Sequence, residues 1–205
     1  ALAIINTYVY SFVAILVIVI LGMLIAYITT RRKNWLTDVI DTLTMFPYII
    51  PGSVLGITLL LAFNDDPIIL SGTAMIIIIS LVIRRLPYTL RSSSAILYQI
   101  SPSVEEASIS LGASPLRTFF KITAVMMIPG VLSGAILSWI TCINELSSSV
   151  ILYTGGTKTM SVAIYTEVIR ASYGTAAALS TILTVTTILA LLLFFKVSGS
   201  KEVSL

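Results

Sequence analysis

The 205-residue chain has no histidine and a single cysteine, Cys142. Without histidine there is no imidazole for a metal site, a general base or a proton relay. A lone cysteine excludes an intrachain disulfide and a thiolate metal cluster. Charge is scarce as well: 10% of the residues are Asp, Glu, Lys or Arg, where a soluble domain carries roughly 25%. With 57% hydrophobic residues, so little charge cannot clothe a water-facing surface, and the chain reads as an integral membrane protein. Thr154-Gly155-Gly156-Thr157 looks superficially like a phosphate loop. It lacks the lysine spacing of a Walker motif and reads as a turn, which excludes nucleotide binding there.

Long apolar runs are what the sequence does have. Five segments can cross a bilayer as helices, at about 8–29, 39–63, 67–83, 122–143 and 176–195. Their length and their lack of period-two alternation favour helices over barrel strands. The first run is too long for a cleavable signal peptide and has no basic segment before it. Of the 12 basic residues, all but Lys158 and Arg170 fall on one side if the chain crosses five times. That side is expected to be cytoplasmic, with the N-terminus outside and the C-terminus inside. Arg84, Arg85, Arg91, Arg117 and Lys121 then belong to the connection between spans three and four, and Lys196 and Lys201 follow span five. Asn64 to Pro67 becomes a tight external turn, and Leu146 to Thr175 a longer external connection with a short helix over 159–170.

Pro47 and Pro51 interrupt the second run, so that helix is expected to be kinked or broken. A bent helix lines a pathway or serves packing alone, and both readings stand. Gly52 and Gly56, four apart, suit close helix packing. Asp38 and Asp41 sit together at one helix start, where negative charge is favourable. That placement does not suit the two membrane aspartates of an intramembrane protease.

The most polar stretch between runs is Glu105 to Phe120. Ser101-Pro102 fits a helix start, as does Ser103-Val104-Glu105-Glu106 one or two residues on. Val104, Ala107, Ser108 and Leu111 share one helical face, Gly112 suits a helix terminator, and Ser114-Pro115 repeats the start signal. The expected unit, about 101–121, is helix, glycine turn, helix. A short helix with a small apolar face suits a groove on another protein, or merely connects two spans. Glu105 and Glu106 point about 100° apart on a helix and cannot converge on one substrate as a catalytic pair.

Glu106-Ala107-Ser108, three residues, Gly112, nine residues and Ile122 resemble the EAA loop of ABC-transporter permeases. Ser108 stands where the family has a second alanine, and Ala124-Val125 where Leu-Pro is usual. Asn6-Thr7, Arg31-Arg32, Phe46-Pro47, Pro51-Gly52 and Pro129-Gly130 extend the likeness over nearly the whole chain. The resemblance implies an all-α membrane protein, a five-helix core of the binding-protein-dependent (MetI-like) type with a cytoplasmic coupling helix between spans three and four. It implies that Glu105, Glu106, Ala107, Ser108, Leu111, Gly112, Ala113 and Arg117 carry the coupling contact with an ATPase. The implied partners are two ATP-binding cassette subunits, a second permease copy (identical or homologous, separate or fused) and an extracytoplasmic solute-binding protein. ATP and magnesium belong to the cassettes; this chain is expected to hold no cofactor, to catalyse nothing and to bind no nucleic acid. The implied location is a bacterial inner membrane.

Asn144-Glu145-Leu146-Ser147-Ser148 closes the fourth run. A carboxylate at the end of a span usually faces protein or water. With Pro47 and Pro51, Asn144, Glu145, Ser147 and Ser148 are candidates for the pathway or its gate; the alternative is a hydrated helix end. No basic residue is expected to pair with Glu145 there. Asn144 through Tyr165 is similar to permeases of the ferric iron group, whose family also includes thiamine, phosphonate, sulfate, molybdate and polyamine importers. Within that resemblance Glu145 is a candidate transient contact for ferric iron, with no resident metal site. A secondary transporter or channel is the alternative from another class, and the shortage of intramembrane charge for ion coupling argues against it.

Overall fold

The computed structural model describes residues 1–198, and Lys201 lies outside the described residues. The regular structure of the described residues is helical throughout. Helix α1 (Leu2–Arg31) is 30 residues long, about 45 Å. It packs against α4 (Ala74–Gln99) and α7 (Ala124–Ile143), and these three form the centre of the bundle. Between them come α2 (Trp35–Ile49) and α3 (Gly52–Ala62). After α4 come α5 (Pro102–Ser110), α6 (Pro115–Thr118) and a π turn over Phe119–Thr123. Beyond α7 lie α8 (Ser149–Leu152), α9 (Met160–Ile169) and α10 (Tyr173–Ser198). By length and composition α1, the run Pro115–Ile143 and Tyr173–Leu193 suit a membrane crossing, and the α2–α3 pair is a fourth if counted as one span.

The break expected in the second run is present, and the boundary of the third is corrected. The second span is two helices bent by 109°. The break falls at Ile50-Pro51 because a residue before proline is pushed out of the helical region, and Ile50 has φ −69° and ψ 128°. Pro47 stays inside the last turn of α2. The run expected as the third span is helical from Ala74 rather than Pro67 and on to Gln99, so Arg84, Arg85 and Arg91 lie inside a helix and not in a connection, and this helix is not among those apolar enough to count as a crossing. A helix continues past an arginine where the rest of the protein supplies a partner, which a hydropathy window does not see.

The bundle has two distinct ends. At one, Arg31 donates to the Ile100 carbonyl at 2.9 Å, and the Tyr27 ring packs tilted against Phe119 with centroids 4.7 Å apart. At the other, the Asn6 amide donates to the carbonyls of Gly156 at 2.9 Å and Lys158 at 3.0 Å, and the Met160 N–H donates to Thr7 Oγ1 at 2.7 Å. Ile18, Ile76, Ile77 and Leu81 fill the core toward the Asn6 end, and Leu90, Leu97, Met127 and Val131 toward the Arg31 end.

Close approach of α4 and α7 sets the register of everything between them. A Cβ at Gly134 would lie 2.6 Å from Thr89 Cα, and one at Gly130 2.5 Å from Ile96 Cγ2. The four-residue glycine spacing thus opens α7 to the α4 backbone. Ser92 donates to the Gly130 carbonyl at 2.7 Å, and Ser138 to the Arg85 carbonyl at 3.0 Å. The pairing brings the middle of α4 beside the far end of α7.

Candidate functional site

The segment between α4 and α7 folds as its sequence suggests. Ser101 caps α5, its hydroxyl accepting from the Ser103 N–H at 3.3 Å, with Pro102 in the first turn. The helix ends in a paired glycine closure. Gly112 has φ +90°, its N–H donates to the Ile109 carbonyl at 2.9 Å, and the Ala113 N–H donates to the Ser108 carbonyl at 3.1 Å. These two bonds satisfy the last carbonyls of α5 and require the left-handed conformation that glycine adopts freely. Ser114 then caps α6, accepting from the Arg117 N–H at 3.3 Å.

Six of the eight residues singled out in this segment come together. Ala107, Ser108, Leu111, Gly112, Ala113 and Arg117 line one concavity of about 530 Å³. Ser108 is buried and its hydroxyl meets that of Thr118 at 2.9 Å, tying α5 to α6. Leu111 is 90% exposed, and Leu116 and Phe120 are also exposed. The two glutamates separate as helical geometry requires. Glu106 is exposed. Glu105 turns to the bundle, where Arg31 Nε donates to Oε1 at 2.9 Å and the Tyr27 hydroxyl to Oε2 at 3.2 Å. Glu105 therefore fixes α5 to α1.

The residues at the end of α7 form a second group. Glu145 is 4% exposed and sits just past the last turn. Contrary to expectation it has basic partners. Arg85 Nη2 donates to Oε2, and Arg84 Nε lies 3.6 Å from the same oxygen. Oε1 accepts from the Ser148 N–H at 3.1 Å and its hydroxyl at 3.4 Å. Ser148 is fully buried, while Asn144 and Ser147 are exposed; the Asn144 amide donates to the Ile140 carbonyl at 2.7 Å. The break in the α2–α3 pair reaches this group: a Cβ at Gly52 would stand 1.7 Å from Arg84 Nη1 and 2.6 Å from Ser147 Cβ. Pro51 thus delivers the start of α3 to the guanidinium, whereas Pro47 stays inside α2. Gly56 faces α8, where a Cβ would lie 3.2 Å from Ile151 Cβ and the Ser148 carbonyl.

Residues 4–199 match the family described as the binding-protein-dependent transport system inner membrane component. The chain belongs to this family. It is 37% identical over 193 residues to the ferric transport system permease protein FbpB of Actinobacillus pleuropneumoniae, covering 94% of this chain and 28% of that protein. It is 33% identical over 138 residues to the molybdate/tungstate transport system permease protein WtpB of Pyrococcus furiosus, covering 65% of this chain and 53% of the relative. The chain thus spans about a quarter to a half of the curated relatives it matches. Its fold is that of the inward-facing MetNI methionine ABC transporter, with a TM-score of 0.75 at 17% identity over 97% of this chain and 94% of that one.

In this permease domain, Arg84, Arg85, Tyr27 and Arg31 are the residues that sequence reasoning missed. The first two end a hydropathy run, which by itself signals the start of a loop. The signal that could have found them is continuation: Leu86 to Gln99 carries on at helical spacing, with buried Leu86, Leu90 and Leu97. Tyr27 and Arg31 are four apart, one turn of α1, and no local pattern shows that both serve Glu105.

Proposed function

We propose that this chain is the membrane-spanning permease subunit of an ATP-driven importer in a bacterial inner membrane. It forms the solute pathway with a second permease copy, identical or homologous, separate or fused. Two ATP-binding cassette subunits hydrolyse ATP, with their magnesium, and an extracytoplasmic binding protein delivers the solute. The chain itself performs no catalysis. The N-terminus lies outside and the C-terminus in the cytoplasm, so that Arg31, Arg32, Lys33, Arg117 and Lys121 share the cytoplasmic side.

The observation that carries this reading is the α5–Gly112–α6 unit. It is a doubly capped helix–turn–helix with a concavity of about 530 Å³ and an exposed Leu111 beside its glycine turn. Such a unit suits insertion into a groove on a cassette. Bundle opening follows if ATP-bound cassettes contact α5 differently in two states. Pinning of α5 to α1 through Glu105 gives the movement a path into the bundle.

For the solute, likeness to FbpB supports ferric iron. Likeness to WtpB supports an oxyanion as the second reading.

The test is a pull-down of the full-length protein from detergent-solubilised native membranes, beside Glu106→Lys. A cassette subunit should co-purify with the unaltered protein. Binding should fall at least about tenfold when the exposed carboxylate is reversed, with folding intact. A stable chain with no cassette attached, and transport indifferent to Glu106→Lys, would leave a self-contained secondary transporter or channel in its place.

A further inference from the structure

The group around Glu145 does not balance. One carboxylate faces two guanidiniums, and arginine stays charged under all conditions relevant here. Glu145 is already committed through both oxygens, to Arg85 and Arg84 on one and to Ser148 on the other. Among the described residues, Arg84 Nε, Arg84 Nη1 and Arg85 Nε are buried and have no hydrogen-bond partner. The side chains keep 16% and 14% exposure through other atoms, while these three nitrogens are themselves closed off. Arg84 lies ten residues past Ala74 along α4, about 15 Å from the helix start, well inside the helix. An ionisable group at such depth carries a heavy desolvation cost and faces protein or a wet path.

The third element is also positive. Arg84 Nη1 occupies the space where a Gly52 side chain would be, at the start of α3. The first N–H groups of a helix carry partial positive charge, and the starts of broken membrane helices typically aim at anionic solute groups. A cation placed here meets two guanidiniums and a helix start, with its only possible carboxylate neutralised. An anion meets unused, fork-shaped donors.

We propose that Arg84 and Arg85, braced by Glu145, form an anion-recognising centre in the transport route and bind an oxyanion or carboxylate group of the solute. This rests on the reading of the chain as a solute pathway, and it refines the substrate. Iron would pass as an anionic chelate and not as a bare cation, and Glu145 positions the arginines instead of touching iron.

The experiment uses the full-length protein with its co-purifying subunits in lipid nanodiscs. Its thermal unfolding midpoint is followed against sodium phosphate, sodium sulfate, ferric citrate or citrate alone, at ionic strength held constant with chloride. General salt effects on stability appear in every variant. The centre gives a saturable rise instead, lost in Arg84→Gln and in Arg85→Gln. Glu145→Gln removes the competing carboxylate and should lower the half-saturating concentration about tenfold. If the Gln variants do not fold, Arg84→Lys decides: a half-saturating concentration raised at least about threefold supports the centre, because lysine lacks the fork. Saturation by phosphate and sulfate assigns tetrahedral oxyanions, by citrate and its ferric complex a carboxylate, and by ferric citrate alone an anionic iron chelate. No saturable response, or one unchanged by the arginine variants, overturns the proposal. Cassette co-purification is scored on the same preparation. A cassette-bound, anion-indifferent complex sinks the centre and keeps the importer; a cassette-free chain sinks the importer, and the anion response still decides the centre.

Discussion

Among the described residues, two glutamates pair with arginines far away in sequence, and they do opposite things. Glu105 meets one arginine, Arg31, and its second oxygen accepts from Tyr27; Arg31 in turn donates to the Ile100 carbonyl. Charge cancels and the donors are used, so the pair is a brace between α5 and α1. Glu145 meets two arginines whose remaining donors include two buried nitrogens without a hydrogen-bond partner, Arg84 Nη1 and Arg85 Nε. That cluster carries surplus positive charge and unused hydrogen-bonding capacity. Chemical identity is shared, and count and satisfaction differ. A balanced pair explains itself by position, whereas an unbalanced one in a membrane protein calls for a ligand.

The comparison breaks first at Glu145→Leu. Removing the carboxylate strands two buried guanidiniums, which should cost about 3–5 kcal/mol in an unfolding titration. Glu105→Leu should cost about 2 kcal/mol, the loss of charge-assisted hydrogen bonds at a site closer to water. Equal losses would show that the two pairs are the same kind of structure. Glycine sharpens the contrast at the next level down. Gly134→Val drives a side chain into the α4 backbone at Thr89 and should cost about 1–3 kcal/mol through overpacking. Gly112 has nothing within 4 Å of a new Cβ, yet φ +90°. Gly112→Ala should therefore cost about 1 kcal/mol through backbone strain alone, which calorimetry on the two variants separates from the larger loss.

Ser108→Ala tests the tie between α5 and α6. It deletes the hydroxyl that meets Thr118 at 2.9 Å between α5 and α6. A buried Thr118 left short of a partner should lower stability by about 1 kcal/mol. Cassette binding should persist, because the exposed face that carries Glu106 and Leu111 is unchanged. Loss of binding together with an unchanged unfolding midpoint would place Ser108 in the docking contact and not in the support.

Residues 101–121 were legible because the information there is local. Ser101-Pro102, Gly112 and Ser114-Pro115 each dictate backbone geometry within three residues of themselves, and the structure forms α5, the glycine closure and α6 where they stand. The helix break in the second span was legible too, since Pro51 restricts Ile50 directly. What stayed hidden was long-range. Arg85 and Glu145 are 60 positions apart and meet through α4–α7 packing at Gly130 and Gly134. Read along the chain, an Arg-Arg pair after an apolar run signals a cytoplasmic loop, and only the buried face of α4 beyond it reveals a helix that keeps going. The division of labour between Glu105 and Glu106 was half visible. Their 100° separation on a helix was certain, but which one faced α1 depended on Arg31 and Tyr27, more than 70 positions away.

The smallest effect belongs to a third pair, Arg91 with Asp41, which calibrates the other two. Arg91 Nη2 donates to Asp41 Oδ2 at 3.0 Å, with side chains 54% and 33% exposed. Its geometry is as good as that of Arg31 and Glu105, so distance alone predicts equal value. Exposure predicts otherwise: water screens both charges in either state, and ordering two flexible side chains offsets much of the attraction. Arg91→Ala should cost about 0–1 kcal/mol, and the loss should shrink further as salt is raised. Arg31→Ala, read by the same unfolding assay over the same salt range, should cost more and depend less on salt. If the two arginines lose equally and screen equally, burial is not what separates a brace from a surface contact in this protein, and the reading of Glu145 as the extreme of that series loses its scale.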